Sequence, residues 1–485
     1  MSAPASASIP ERVHLLGAGG AGVSGAALLL AARGHALSGH DRADGRFVQS
    51  LRALGVSVDL GPSDAAALPP DVELVVRSAA VPLDDAQVVE ANRRGVPVLK
   101  YSDLLGRIAP PRRTLAVAGT HGKTTSSWMV YHALRGLAEA AGRGAPAPSA
   151  LVGGACRTVG ANAVAGDDGG WFACEACEYD RSFLRLAPEG AIITNIEPDH
   201  LDYYGTLEAI EEAFARFVDK IHPDGLLVVG KDVPDRVVAA SPCAVWRLGR
   251  EIEIDLRGES HGFFRFRLRG PGFATPEVHL NVPGAFNVEN AALALALSIG
   301  LVARNWHLDV EQAAAGAARG VHRYKGAERR FEPWGTSGGV EVIHDYAHHP
   351  TEVRATLEAA RRALPGKPIH VLFQPHQHSR TARFLDDFVE SLRGADRVVV
   401  ADVYGARVHI DVRGAGSEEL VVRLKRAGLD AAHGGTPAES VKKLCERLPS
   451  GSAALILGAG DIDLVKDDLL EELAVRGAAA RRARG

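Results

Sequence analysis

The 485-residue sequence has few cysteines and few aromatic residues, and its charges nearly cancel. Five cysteines are too few for a disulfide framework, which excludes the small secreted proteins held together by such bridges. A net charge of −4 gives no basic excess, so we expect no nucleic-acid partner, because phosphate contacts need Lys and Arg. No run reaches the roughly 18 apolar residues of a membrane span, so we expect no membrane insertion.

The first residues, MSAPASASIPER, have neither an apolar core nor a leading positive charge, so we expect no secretory signal and a cytoplasmic protein. Apolar residues make up 46% and charged residues 24%, as in ordinary globular proteins. At about 150 residues per domain, the length predicts roughly three domains. Nothing in the sequence indicates an obligate protein partner.

Three blocks of alternating strand and helix patterns divide the chain, which predicts an α/β fold with parallel sheets. Pro110-Pro111 separates the first block from the second. In the second, we expect a helix over Lys123–Leu137, a loop over 140–148 and added antiparallel strands within 251–282. The third block again alternates, and includes one predicted helix at Thr381–Leu392.

The segment GTHGKTT (119–125) lies between a predicted strand and a predicted helix. A glycine-rich turn lets backbone N–H groups approach phosphate oxygens, and a helix N-terminus attracts the same charge. Val117 occupies the position of the first glycine in a strict P-loop, so this loop is a shortened variant. It predicts a nucleotide phosphate site with Lys123 on an exposed loop, formed by Gly119, Thr120, His121, Gly122, Lys123, Thr124 and Thr125.

A second glycine motif follows the first predicted strand. It satisfies G-x-G-x-x-G. Asp41 ends the second predicted strand, at about the distance along the chain from this motif that is expected of an acid that binds a ribose. Taken alone, it favours a nicotinamide dehydrogenase, with a tight turn of no function as the plain alternative. Its residues are Gly17, Gly19, Gly20, Gly22 and Asp41.

Acidic residues and a histidine follow two further predicted strands, at Glu175 and in the segment NIEPDHLD (195–202). Since the carboxyl ends of parallel strands converge, we expect these side chains near the P-loop. Oxygen ligands of this kind suit Mg²⁺ beside ATP, although a solvated acidic turn has the same pattern.

Two asparagines and a group of histidines complete the candidate residues. Asn287 and Asn290 open an apolar helix, where they either cap it or face an adenine. In the third block, HDYAHHP (344–350) and QPHQHSRT (374–381) each follow a strand and precede a helix. Both segments should therefore lie at one edge of that sheet, where polar residues are more often functional than structural.

In this order, the motifs resemble the ATP-dependent Mur ligase family of peptidoglycan synthesis. The similarity covers nearly the whole chain and rests on GTHGKTT, EACEYDRSFL, TNIEPDHLDYYG, DYAHHPTEV and FQPH followed by SRT and FLDDF. The resemblance implies an N-terminal Rossmann-like domain (1–111) that binds a UDP-sugar and a central P-loop ATPase-type domain (112–322). It also implies a C-terminal Rossmann-like domain (323–485) that contacts the amino acid. The first glycine motif is thereby assigned to UDP instead of NAD.

The resemblance further implies an activity: ATP-dependent ligation of L-alanine to the carboxylate of UDP-N-acetylmuramate through an acyl phosphate. On the ATP side, Lys123 and Thr124 would hold the phosphates and Mg²⁺, and Glu175 and His200 would be metal ligands. The adenine pair would be Asn287 and Asn290, and the nucleotide would also face Asp345.

On the alanine side, the resemblance implies Tyr346, His348, His376 and Arg380, with His348 as the candidate base. Many family members have His and Arg where this chain has Phe286 and Gln377. Lys220 cannot be matched to the carbamylated lysine of several sister ligases.

Three alternatives stay open. A related recycling ligase joins a tripeptide to the same UDP-sugar, but DYAHHPTEV and ADVYGAR (401–407) favour the alanine enzyme. A nicotinamide dehydrogenase would leave the P-loop unexplained. A non-catalytic UDP-sugar sensor would bind its ligand without releasing phosphate.

Overall fold

The computed structural model describes residues 8–306, 308–405 and 416–482. By packing, the chain forms two units. The first contains Met1–Asp255, Arg267–Val278 and Glu289–Lys325, and the second contains Leu256–Phe266, His279–Val288 and Gly326–Gly485. The division at residues 111 and 322 stays a prediction.

The first unit begins with a parallel sheet of order β3-β2-β1-β4-β5. The order reverses beside β1, and in such sheets ligands bind at the carboxyl end of the strands at this point, where the first glycine motif lies. The strands are β1 (Arg12–Leu16), β2 (Ala36–Asp41), β3 (Ser57–Leu60), β4 (Leu74–Arg77) and β5 (Val98–Lys100). The helices are α1 (Ala21–Ala32), α2 (Arg46–Ala53), α3 (Ala86–Arg94) and α4 (Tyr101–Ile108).

A seven-stranded sheet follows in the same unit, with order β12-β11-β10-β6-β9-β7-β8. Its strands are parallel except β8, which pairs antiparallel with β7. The strands are β6 (Thr114–Ala118), β7 (Ser149–Cys156), β8 (Ala161–Val164), β9 (Phe172–Glu175), β10 (Gly190–Ile193), β11 (Leu226–Val229) and β12 (Ala244–Arg247). The helices are α5 (Lys123–Ala141), α6 (Leu201–Tyr204), α7 (Leu207–Val218) and α8 (Asp235–Val238).

Strand β6 lies between β9 and β10, so the P-loop at its carboxyl end has both acidic segments as neighbours. The apolar face of α7 is buried, and its Phe217 stacks on Phe183 with ring centroids 4.9 Å apart. Helix α5 extends four residues beyond the predicted end at Leu137, because its last turn has no glycine or proline to stop it before Gly142.

A small four-stranded sheet and two helices come next: β13 (Glu253–Ser260), β14 (Phe263–Gly270), β15 (Phe273–Ala274), β16 (Val278–His279), α9 (Phe286–Asn305) and α10 (Val310–His322). Buried and exposed residues alternate along β14, with Phe264, Phe266 and Leu268 buried, so one face of this strand is covered. One described helix, α9, is long and apolar enough to cross a membrane, over residues 286–303. That window is 83% buried inside the protein, as expected of a core helix.

In the second unit, a six-stranded sheet has the order β17-β18-β22-β19-β20-β21, in which only β17 pairs antiparallel. The strands are β17 (Glu332–Ser337), β18 (Val340–Asp345), β19 (Ile369–Phe373), β20 (Arg397–Ala401), β21 (Ala431–Gly435) and β22 (Ala453–Leu457). The helices are α11 (Pro350–Ala363), α12 (His378–Arg383), α13 (Leu385–Leu392), α14 (Ser417–Arg426), α15 (Pro437–Cys445) and α16 (Lys466–Arg482).

The single helix predicted at Thr381–Leu392 is wrong. Two helices occupy this region, α12 and α13, separated at Phe384, whose backbone leaves the helical conformation (φ −107°, ψ 23°). Short 3₁₀ segments lie at Ala65–Ala67, Tyr179–Arg185 and Asp461–Val465.

Candidate active site

The P-loop connects β6 to α5 through two glycines with left-handed backbones, Gly119 (φ 136°) and Gly122 (φ 81°). A side chain at Gly119 would place its Cβ 2.0 Å from Thr194 Oγ1. Only glycine meets both demands, since it accepts a positive φ and has no Cβ. The loop is therefore closely packed where it turns into the helix.

The end of β10 holds this loop in place. Asn195 accepts hydrogen bonds from two loop N–H groups, from Thr120 through its backbone carbonyl (3.0 Å) and from His121 through Oδ1 (2.8 Å). Thr194 Oγ1 donates to the carbonyl of His121 (2.6 Å). The sequence indicates this segment through its acidic residues, but it gives no sign that Thr194 and Asn195 fix the loop.

The sequence predicts Lys123 on an exposed loop, and this prediction is wrong. Lys123 is the first residue of α5, and its side chain is only 13% exposed. Its ammonium donates to the carbonyls of Gly119 (2.6 Å) and Thr120 (3.0 Å) and to the Glu178 carboxylate (3.0 Å). Burial alone would lower the pKa of Lys123, but the charges of Glu178 and Glu175 raise it above its usual value.

The predicted metal ligands Thr124 and Glu175 lie together, because the Thr124 hydroxyl donates to Glu175 Oε2 (2.9 Å). Gly153 N–H donates to the same oxygen (3.1 Å). A hydroxyl beside a carboxylate at the end of a P-loop is the hard-oxygen donor set that suits Mg²⁺. These residues therefore fit the ion that the resemblance implies.

His200 has a left-handed backbone (φ 51°), which is uncommon for a residue other than glycine. Its Nε2 lies 3.7 Å from Glu178 Oε1 and 3.7 Å from Asp199 Oδ2. Glu178 belongs to the EACEYDRSFL segment but has no role assigned from the sequence, and it lies between His200 and Lys123.

The two asparagines at the start of α9 are both buried. Asn290 contacts the P-loop side: its Oδ1 accepts from Ser126 Oγ (3.2 Å), and a Cβ on Gly122 would lie 2.6 Å from it. Asn287 Nδ2 donates to the carbonyl of Pro283 (2.7 Å), so it closes the turn before the helix.

In the first glycine motif, Gly17 has a left-handed backbone (φ 71°) and Gly20 precedes the first turn of α1. Asp41 lies at the end of β2, as predicted, and its Oδ2 accepts from Gly19 N–H (2.7 Å). The carboxylate therefore shapes the loop. Tyr101 covers Gly22, where a Cβ would lie 2.6 Å from the ring.

The predicted alanine-side residues lie together in the second unit. The ring centroids of Tyr346 and His348 are 5.3 Å apart, and those of His348 and His376 are 5.4 Å apart. Arg380 is buried, with Nη1 3.0 Å from His376 Nδ1. Tyr404 stacks on His376 with centroids 5.6 Å apart. It belongs to the ADVYGAR segment, of which residues 406 and 407 lie outside the described residues.

Asp345 ends β18 and is buried there. It accepts from Phe331 N–H (2.7 Å) and Ala347 N–H (2.8 Å), and burial raises its pKa to about 6. Arg329 and Arg330 place their guanidinium carbons 4.7 and 4.9 Å from the centre of the Tyr346 ring. Neither arginine is indicated by the sequence, because both precede β17 and belong to none of the motifs.

Comparison with known proteins decides the family. The Mur ligase family catalytic domain matches residues 12–113, the Mur ligase middle domain matches 117–298, and the Mur ligase glutamate ligase domain matches 329–460. The chain belongs to the Mur ligase family.

Relatives within this family are similar over nearly their full length. The UDP-N-acetylmuramate–L-alanine ligase of Saccharopolyspora erythraea is 39% identical, with 96% of this chain and 93% of the relative covered. The ligase of the same name from Kineococcus radiotolerans is 40% identical, with 96% and 97% covered. The fold is similar to the crystal structure of the UDP-N-acetylmuramate-alanine ligase MurC from Thermotoga maritima, with a TM-score of 0.76 and 26% sequence identity. The match covers 95% of this chain and 98% of that chain.

Family membership confirms the expected α/β Mur ligase fold and the expected class of enzyme, an ATP-dependent ligase that forms an amide bond. It removes the reason to assign the first glycine motif to a dehydrogenase.

Two residues named above as departures from the Mur ligase pattern can be placed in the structure. Gln377 precedes α12 with a left-handed backbone (φ 70°) and donates its N–H to the carbonyl of Tyr404 (2.9 Å). Lys220 is exposed.

Proposed function

We propose that this Mur ligase joins L-alanine to the carboxylate of UDP-N-acetylmuramate in the cytoplasm, as ATP is cleaved to ADP and phosphate. The identity of 39–40% to ligases named for this reaction, over 96% of the chain, carries the proposal. The geometry supports it, because the first unit has a P-loop with Thr124 and Glu175 in contact, and the second unit groups Tyr346, His348, His376 and Arg380.

The first step activates the carboxylate. A carboxylate resists attack by an amine because it is negatively charged and oxide is a poor leaving group. One of its oxygens attacks the γ-phosphorus of ATP, and the bond to ADP breaks, which gives an acyl phosphate. Lys123 and the loop N–H groups offset the charge on the phosphoryl oxygens, which is the main protein contribution to such transfers.

The second step forms the amide. The amine nitrogen of alanine attacks the acyl carbon, and phosphate leaves. His348 is the base that we propose for the amine proton. Its Nδ1 lies 3.0 Å from the carbonyl of Tyr346 and 3.3 Å from Glu352 Oε2, two acceptors. In neutral His348, Nδ1 therefore carries the hydrogen, and Nε2 is the nitrogen that accepts a proton.

Thr124, Glu175 and His200 are the residues that we propose to hold Mg²⁺. When bound, Mg²⁺ neutralises phosphate charge during phosphoryl transfer. The hydrogen bond from Thr124 to Glu175 keeps both oxygen donors beside Lys123.

Phosphate release from ATP, measured with UDP-N-acetylmuramate and a panel of amino acids, tests the proposed function. We expect release with alanine and little release with the L-alanyl-γ-D-glutamyl tripeptide that a recycling ligase uses. Binding of the UDP-sugar without phosphate release would identify a sensor. Release with the tripeptide and none with alanine would identify the recycling enzyme.

We expect Glu175→Gln to raise the Mg²⁺ concentration needed for half-maximal activity, because it removes a ligand charge and keeps the shape. His200→Ala should have the same effect to a smaller extent, since imidazole is a weaker partner for a hard cation. Mg²⁺ titrations of phosphate release provide the measurement. If neither titration curve moves, the metal site is assigned to the wrong residues.

Gly17→Ala should weaken UDP-sugar binding. The new Cβ would lie 2.8 Å from Ser78 Cβ, and alanine would have to adopt φ 71°. Gly34→Ala is the matched control, because Gly34 has a similar φ of 85° but open space around it. Each substitution should cost about 1–2 kcal/mol of stability from the backbone alone. Calorimetric titration with UDP-N-acetylmuramate should show weaker binding for Gly17→Ala only, and equal binding by both variants would contradict the assignment of this loop.

A further inference from the structure

Glu178 uses its carboxylate to hold the P-loop lysine. The side chain is only 4% exposed, and Lys123 Nζ lies 3.0 Å from Oε1 and 2.9 Å from Oε2. The remaining Nζ contacts are the carbonyls of Gly119 and Thr120. An ammonium has three N–H donors, so these three partners use all of them.

The backbone around Glu178 is built to keep it there. The Tyr204 hydroxyl and Arg181 N–H (2.9 Å) both donate to the Glu178 carbonyl. Asp180 and Arg181 have left-handed backbones (φ 49° and 60°), and Asp180 is paired with Lys100. Two successive left-handed residues cost conformational energy and persist only where the surroundings hold them.

A nucleotide phosphate needs the same ammonium. Before a β- or γ-phosphate oxygen can accept from Lys123, one of these three contacts has to break, and Glu178 is the anion with which the phosphate competes. The released carboxylate then lies near the Glu175 charge and the phosphates, with His200 Nε2 3.7 Å away. Anions held close together repel each other strongly in a site shielded from water, and a divalent cation beside them offsets that repulsion.

We infer that Glu178 is a positioning residue that occupies Lys123 until a nucleotide phosphate displaces it, and that this competition makes nucleotide binding depend on a divalent cation. The inference rests on the proposed function only in taking the P-loop as the ATP site. It assigns to Glu178 a role that differs from metal ligation by Glu175 and His200. A purely structural counter-ion would affect stability and leave nucleotide binding unchanged.

The experiment is calorimetric titration of the full-length protein with ADP, once with saturating MgCl₂ and once with EDTA. Glu178→Gln keeps the shape of the side chain and removes its charge. Glu212→Gln is the matched control, because it makes the same substitution at an exposed position of α7. Thermal unfolding of each variant establishes that it is folded.

We expect Glu178→Gln to bind metal-free ADP about tenfold more tightly than the unsubstituted protein, the lower limit for one hydrogen bond to a charged group. The Kd measured with EDTA divided by the Kd measured with Mg²⁺ should fall at least about tenfold in this variant. Glu212→Gln should leave both values unchanged.

If Glu178→Gln does not fold, Glu178→Asp takes its place, since the shorter side chain draws the carboxylate away from Lys123. It should shift metal-free binding in the same direction by less. Unchanged or weaker metal-free binding in the folded variant would overturn the inference while the proposed function stands. Failure of the unsubstituted protein to bind ADP with Mg²⁺ would overturn both.

Discussion

Replacing Lys123 with alanine is expected to lower the rate of phosphate release by about a hundredfold to a thousandfold. The ammonium offsets charge that develops on the transferred phosphoryl group, and loss of one such fixed donor lowers the rate by a factor of about 10²–10³. Phosphate release at saturating ATP, UDP-N-acetylmuramate and alanine provides the measurement. Near-normal release by a folded variant would remove the P-loop from the proposed mechanism.

The same substitution should also affect stability, because it leaves the buried Glu178 carboxylate without its cation. Breaking a buried ion pair by removing one partner costs about 3–5 kcal/mol. The double variant Lys123→Ala/Glu178→Gln should recover much of that stability and remain inactive, which separates the loss of catalysis from a loss of folding. Lys100→Ala is the matched control for removing a lysine from an ion pair, here with Asp180, and should keep most of the activity.

Much of the proposed phosphate site could be predicted, because its glycines, lysine and threonines are adjacent in sequence. A glycine-rich turn before a helix N-terminus is enough to explain why they bind phosphate. The contacts that fix the loop could not be predicted in the same way. Asn195 lies 74 residues from His121, and only the position of β10 beside β6 brings the two together. The burial of Lys123 was missed for the same reason, since Glu178 reaches it from the end of β9.

Glu178 belongs to the EACEYDRSFL segment, but its residue type and position do not indicate that it holds Lys123. It stands near Glu175 in a segment with several acids, and its sequence neighbourhood resembles that of an exposed turn. Its orientation depends on the left-handed backbones of Asp180 and Arg181; Asp adopts this conformation more often than most residues, but Arg181 has no such preference. Backbone conformation of this kind becomes visible only in the structure.

The fold itself was largely predictable, because parallel sheets alternate with helices and leave strong apolar patterns. The break between α12 and α13 was not, since Phe384 is compatible with a continuous helix; its ring packs against His349, with centroids 5.0 Å apart. That break bears on the proposed alanine site, because Arg380, which lies beside His376, belongs to the short helix α12.

Arg380→Lys should raise the KM for alanine about tenfold to a hundredfold, with much smaller changes in the KM for ATP and for UDP-N-acetylmuramate. The buried guanidinium is anchored through Nη1, which lies 3.0 Å from His376 Nδ1 and donates to the His376 carbonyl (3.3 Å). A guanidinium carries five N–H donors in a rigid plane, so it can be anchored on one side and still bind a carboxylate in a bidentate pair. An ammonium cannot reproduce that arrangement, and a hydrogen bond to a charged group contributes about 1.5–3 kcal/mol.

The matched control is Arg383→Lys, the same substitution at an exposed position of α12, which should leave all three KM values unchanged. The preference for alanine over glycine should survive in Arg380→Lys, because the contacts of the methyl group are not altered and one methyl group contributes only about 1–3 kcal/mol of discrimination. Steady-state kinetics with each substrate varied in turn separate the three KM values. If Arg380→Lys weakens ATP binding and leaves the KM for alanine unchanged, Arg380 acts on the phosphate side, and the group of Tyr346, His348 and His376 is not the alanine site.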